Sequence, residues 1–192
     1  MDNKIRTGVV GLGAMGAPMA RNLAEHGLLA MVWNRTAARA EAFVQQTDSS
    51  IAETPAQLAA ACDVILTCVS ADQDLLSVID QLLPGIETGS VLVDTSTVSP
   101  ATAREAADVL FRAGCGFVDA PVSGGVEGAK KGSLSVMAGG DSANISRIMP
   151  VLEAISATVT HMGPVGSGQS TKAVNQVIVA GVAEAVCEAL AF

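Results

Sequence analysis

Short apolar runs alternate with longer stretches of helical periodicity along most of the chain. The apolar runs fall near 7–10, 30–33, 63–69, 90–93, 116–118, 134–138 and 157–160. Between them, apolar residues recur at helical spacing near 14–26, 37–46, 55–61, 72–82, 100–113 and 142–155. A short unbroken apolar run fits a strand buried on both faces, and the periodic stretches fit amphipathic helices. This alternation predicts an α/β fold with a doubly wound, mostly parallel sheet. Punctuation agrees with the boundaries. Gly27 ends the first helical stretch, Pro55 opens the third, and Pro84-Gly85 closes the fourth. Ser99-Pro100 places an N-cap before a first-turn proline.

The last strand is expected to end at His161, followed by a loop through Gly163, Pro164, Gly166, Ser167 and Gly168. A final helix then runs from about 169 to the terminus. Val174, Ile178, Gly181, Val182, Ala185, Ala189 and Phe192 fall on one wide face of it, away from Glu184 and Glu188. A long apolar stripe calls for a partner. The expectation is therefore two units. Residues 1–163 form the sheet domain, and 164–192 begin an all-α second domain that is cut short. Self-association through this helix is expected.

Composition narrows the class. Hydrophobic residues are 49% and charged residues 16%, which is a globular balance. The net charge of −8, with no basic cluster, argues against nucleic acid as a partner. The four cysteines, Cys62, Cys68, Cys115 and Cys187, form no paired motif and have no histidine cluster beside them. Free thiols in a reducing cytoplasm, and no metal, are the expectation. Residues 173–192 are long enough for a membrane span, but Asn175, Gln176, Glu184 and Glu188 interrupt them, so no membrane partner is expected.

Chemistry enters at Gly11-Leu12-Gly13-Ala14-Met15-Gly16, a G-x-G-x-x-G between a strand and a helix. That context is the dinucleotide-binding signature of a Rossmann domain. Gly11 makes the tight turn, Gly13 lets backbone approach a pyrophosphate, and Gly16 permits close packing of helix on strand. The helix N-terminus offers a partial positive charge to phosphates. At the end of the second strand, where NAD enzymes usually carry an acid, stand Asn34-Arg35-Thr36. A guanidinium and a hydroxyl suit a 2′-phosphate, so NADP(H) is expected over NAD(H).

Three further segments lie where ligands bind a doubly wound sheet. Asp94-Thr95-Ser96-Thr97 follows a strand, and Thr97 is a candidate cofactor contact. Asp119-Ala120-Pro121-Val122-Ser123-Gly124-Gly125-Val126-Glu127-Gly128-Ala129 reads as a second glycine-rich loop, in which a hydroxyl and two unshielded amides at Ser123, Gly124 and Gly125 can hold a small carboxylate. Lys172 opens the last helix with Asn175 three positions on. Burial in a cleft lowers a lysine pKa and suits it to acid–base work.

Taken in order, these four motifs resemble the β-hydroxyacid dehydrogenase family. That family includes 3-hydroxyisobutyrate dehydrogenase, tartronate semialdehyde reductase and the glyoxylate/succinic semialdehyde reductases. The resemblance covers the whole chain. It implies an oxidoreductase that passes a hydride between a nicotinamide and a small hydroxyacid or its semialdehyde. It implies Lys172 as general acid/base, Ser123, Gly124 and Gly125 as substrate contacts, Asn175 as an orienting residue and Thr97 as a cofactor contact. The lysine sets the chain apart from the similar imine reductases. Asn175-Gln176 stands where the family often has Asn-Asn, and 175–180 look like the tartronate semialdehyde reductase version. Asn34-Arg35-Thr36 looks instead like the NADPH-dependent glyoxylate/succinic semialdehyde reductases. Family members carry further helices that close the cleft. Two alternatives stand beside this reading: an enzyme like 6-phosphogluconate dehydrogenase, and a non-catalytic NADP-binding module.

Overall fold

The computed structural model describes residues 5–192. Its elements, in chain order, are β1 (Thr7–Val10), α1 (Gly16–Glu25), β2 (Leu29–Trp33), α2 (Ala37–Val44), β3 (Ser50–Ile51) and α3 (Pro55–Ala61). Next come β4 (Val64–Thr67), α4 (Asp72–Leu82), β5 (Val91–Asp94), α5 (Pro100–Arg112), β6 (Gly116–Asp119) and β7 (Val122–Ser123). The chain continues through α6 (Gly125–Lys130), β8 (Leu134–Gly140), α7 (Ser142–Ile155), β9 (Ser156–Gly163) and α8 (Ser167–Ala191).

The sheet order is β3-β2-β1-β4-β5-β6-β8-β7, with β9 also paired to β8. From β3 to β6 every pairing is parallel. β8 runs antiparallel to β6 and β7 and parallel to β9. This is the Rossmann-type, mostly parallel sheet that the alternating pattern predicts. Each apolar run is a strand and each periodic stretch a helix.

Successive strand residues point to opposite faces, and this divides the core in two. Val9, Leu66, Val91 and Val93 join the face covered by α1, α2, α6 and α7. Val10, Ile65 and Leu92 join the face covered by α3, α4 and α5. Helix ends follow local chemistry. Thr54 and Ser99 accept from the amides of Gln57 and Thr102, each just before a first-turn proline. Gly27, at φ +63°, stops α1, with Gly27 N–H on the Ala24 carbonyl and Leu28 N–H on that of Leu23.

Four expectations change. Residues 119–129 are not one loop: β7 joins the sheet and α6 follows it. A two-residue strand shows no alternation, and Gly-Val-Glu-Gly-Ala-Lys has no stripe, so neither is visible in the sequence. β3 was missed for the first of these reasons. β9 runs to Gly163 and α8 begins at Ser167, beyond and before the expected limits. Finally, α8 does not carry its apolar residues on one face. Val177, Val179, Val186 and Leu190 lie outside the expected stripe, and they are exposed together with Val174, Ile178 and Val182. Only the start of α8, at Gly168, Gln169 and Lys172, is buried. By length and composition α8 is long and apolar enough to cross a membrane.

Candidate active site

Parallel strands all leave the sheet on the same side, so the loops after β1, β2, β4, β5 and β6 share its carboxyl edge. The glycine-rich loop turns sharply at Gly11, where φ is +98° and a side chain would strike the Cys68 carbonyl. A side chain on Gly16 would strike the Gly11 carbonyl, so this glycine fits α1 against its own turn rather than against a strand. No atom lies within 4 Å of the place a Cβ would take on Gly13. The fold itself thus requires the first and third glycines. The middle one leaves open space beside the loop.

Next to this loop lies a cleft of about 170 Å³, bounded by Gly11, Gly13, Trp33, Asn34, Arg35, Thr36, Arg39 and Asp74 among others. Asn34 is a tie within the protein. Its Oδ1 accepts from Leu12 N–H at 2.8 Å and its Nδ2 donates to the Thr36 carbonyl at 2.9 Å. Arg35, read from the sequence as a free phosphate ligand, pairs with Asp74 of α4 at 3.1 Å while most of its side chain stays in solvent. Sequence pattern could not show this partner, which lies across the cleft on another helix. Arg39 was overlooked. It lies four residues beyond Arg35, in the first turn of α2, and its nearness in sequence was the available signal.

A larger cleft, about 490 Å³, continues along the edge and shares Cys68, Val69 and Ser70 with the first. It brings together Met15, Thr97, Ser123, Gly124, Gly125 and Lys172 from four separate segments. Lys172 is only 8% exposed, and burial pulls its amine below the usual lysine range. Asn175 does not line this cleft; its amide donates to the Gln176 side chain at 3.2 Å. Gln176 lines it instead. On a helix the fourth residue on lies closer in angle than the third, which the sequence reading did not weigh.

Behind the cleft lies a buried polar network with no sequence forecast. Asp94 Oδ1 accepts from Thr67 Oγ1 at 2.7 Å and Ser96 Oγ at 2.6 Å, while Oδ2 has no partner. Burial pushes this carboxyl up to about 6, against the pull of those two hydroxyls. Asp119, also fully buried, accepts from Gly166 N–H at 2.8 Å and Gln169 N–H at 2.9 Å. It thereby caps the first turn of α8. Burial raises the Asp119 carboxyl, and the α8 amides oppose that rise. Among the described residues, no group of three or more His, Cys, Asp or Glu is placed to hold a metal.

Comparison with known proteins gives a consistent picture. Residues 6–163 match the sequence profile of the NAD binding domain of 6-phosphogluconate dehydrogenase. An uncharacterized oxidoreductase of Shewanella frigidimarina (strain NCIMB 400) is 43% identical over 186 residues, which are 95% of this chain and 64% of that protein. The 2-(hydroxymethyl)glutarate dehydrogenase of Eubacterium barkeri is 36% identical over 99% of this chain and 64% of its own length. Among solved structures, the 3-hydroxyisobutyrate dehydrogenase of Mycobacterium tuberculosis with L-serine superposes with a TM-score of 0.92 at 30% identity. That match covers 96% of this chain and 63% of the other. The chain thus spans a little under two thirds of the length of these relatives.

Proposed function

The chain belongs to the family of NAD binding domains found in 6-phosphogluconate dehydrogenase, and from that premise we propose an NAD(P)-dependent oxidoreductase acting on a small 3-hydroxyacid and its semialdehyde. The observation that carries this reading is Lys172, buried in a cleft opposite Ser123, Gly124 and Gly125. The residues suit a dinucleotide: the open space at Gly13 leaves room for a pyrophosphate, and the two clefts share a wall at Cys68. When bound, the nicotinamide supplies or accepts the hydride.

The chain's own residues do the rest. Ser123 and the amides of Gly124 and Gly125 orient the substrate carboxylate. Lys172 gives a proton to the new alkoxide oxygen in reduction and takes it back in oxidation. Its lowered pKa, set by burial, eases that exchange. Gln176, rather than Asn175, is the amide neighbour within the cleft. Thr97 meets the cofactor side. Among the described residues Lys172 is the one cation lining this cleft, which favours an unphosphorylated acid over a sugar phosphate. We assign NADP(H) on Arg35, Thr36 and Arg39, which border the smaller cleft. The free thiols of all four cysteines favour a reducing, cytoplasmic setting. Residues 164–192 are assigned to the start of a helical unit, through whose exposed apolar surface the protein self-associates.

The test is to mix the protein with NADPH or NADH and a panel of small semialdehydes, and with NADP+ or NAD+ and the matching 3-hydroxyacids. Nicotinamide absorbance that changes with substrate, and stops changing in Lys172→Ala, is the expected outcome. Turnover that survives Lys172→Ala would overturn the assignment of the lysine. No turnover with any unphosphorylated acid, alongside turnover of a phosphorylated one, would overturn the substrate class.

A further inference from the structure

We propose that Gln169 is a positioning residue: its side chain locks the loop around Thr97 to α8 and so fixes Thr97 relative to Lys172. The inference rests on the roles given above to those two residues.

Gln169 is 1% exposed, yet it is an amide inside an α/β core. Both ends of that amide are used. Nε2 donates to the Ser96 carbonyl at 2.8 Å, and Val98 N–H donates to Oε1 at 3.2 Å. These two backbone groups flank Thr97. The side chain therefore pairs with the loop as a neighbouring strand would, and leaves Thr97 facing the cleft. The backbone of Gln169 is fixed in turn, because its N–H donates to Asp119. Lys172 follows three residues later on the same helix. One amide thus joins the loop after β5 to the helix that carries the lysine.

Leu or Met would fill the space but orphan a buried carbonyl and a buried N–H, each costly to leave unpaired. Glu would keep the acceptor for Val98 and set a charge against the Ser96 carbonyl. If the amide were only packing, its loss would lower stability and leave cleft chemistry unchanged. If it positions, both Thr97 and Lys172 must respond.

The experiment compares the full chain with Gln169→Met, and with Gln169→Glu should the Met variant fail to fold. Dinucleotide affinity is read from nicotinamide fluorescence, and the titration of Lys172 from NMR of ¹³C-methylated lysines. In a folded variant, NADPH is expected to bind about tenfold more weakly, the scale of one or two lost hydrogen bonds. The Lys172 titration is expected to rise toward that of an ordinary lysine as water enters. Unchanged affinity, or an unchanged Lys172 titration, in a variant that is folded but less stable, would overturn the proposal. If the wild-type chain binds neither dinucleotide, the proposed activity fails. The Lys172 titration alone then decides the coupling, since it needs no ligand.

Discussion

The two clefts on the carboxyl edge are built by opposite means. The smaller one is made of loop backbone and solvent-facing charges: a glycine turn, an asparagine tie and the exposed Arg35–Asp74 pair. The larger is backed by buried polar groups: Asp94, Asp119, Gln169 and Lys172. Exposed charges are hydrated and screened, so they tune affinity gently. Buried groups are poorly screened and cannot fall back on water, so each must find a partner within the protein or shift its titration. The difference teaches where large effects of substitution should lie.

The largest effect is expected at the lysine. Lys172→Ala should lower turnover by about a hundredfold to ten-thousandfold, the usual worth of a general acid/base. Dinucleotide affinity should stay within about twofold. Steady-state kinetics beside fluorescence titration separates the two. A loss of binding equal to the loss of rate would mean that the clefts are not functionally distinct.

The glycines sharpen the contrast within the smaller cleft. Gly11→Ala forces a side chain onto a positive φ and against the Cys68 carbonyl, and should cost about 2 kcal/mol or more in denaturant unfolding. Gly13→Ala meets no atom of the protein and should change stability by less than about 0.5 kcal/mol. It should still weaken dinucleotide binding on the order of tenfold, because the Cβ takes up the space for the pyrophosphate. Equal destabilisation by the two changes would erase the distinction.

Asp94 tests the buried side through pH. Its folded pKa, about 6, lies above the unfolded value of 3.8. The folded state therefore holds this proton more tightly, and the associated stability is present below pH 4 and lost as pH rises through 6. Asp94→Asn keeps an acceptor for Thr67 and Ser96 but cannot ionise. Its stability relative to wild type should be smallest near pH 4. It should improve by on the order of 1–3 kcal/mol above pH 7, measured by urea unfolding across that range. A difference independent of pH would show that Asp94 does not titrate in this window.

The smallest effect belongs to the exposed pair. Asp74→Asn frees Arg35, and NADPH should bind about threefold more tightly at low salt, with the gain fading as salt rises. A gain that resists salt would mean that the pair is shielded from solvent when the dinucleotide is bound.

Much of this architecture could be read in the residue pattern, and the reason is local. A parallel strand buried on both faces writes itself as an apolar run, and the helices that cover it write a stripe. Caps at Thr54 and Ser99 and the stop at Gly27 are decided within a few residues. The Gly11–Gly16 loop, Thr97, Ser123 and Lys172 were likewise legible, because each belongs to a motif of fixed spacing. α6 and β7 left no such mark. Nor did the exchange of Gln176 for Asn175 in the cleft, which depends on how α8 is rotated about its axis where it docks on the sheet.

What the amino-acid order determined by itself, then, is the strand–helix alternation, the glycine turn and the chemical types available at the sheet's carboxyl edge. Tertiary structure decided which of them meet. Asp74 reaches Arg35 over a separation of 39 residues, Asp119 caps α8 over 47 and 50, and Gln169 bridges to Ser96 and Val98 over 73 and 71. Periodicity reports which way a side chain faces within its own element. Pairing across elements is set by how the two layers of helices dock on the sheet, and a buried hydrogen bond follows from that docking.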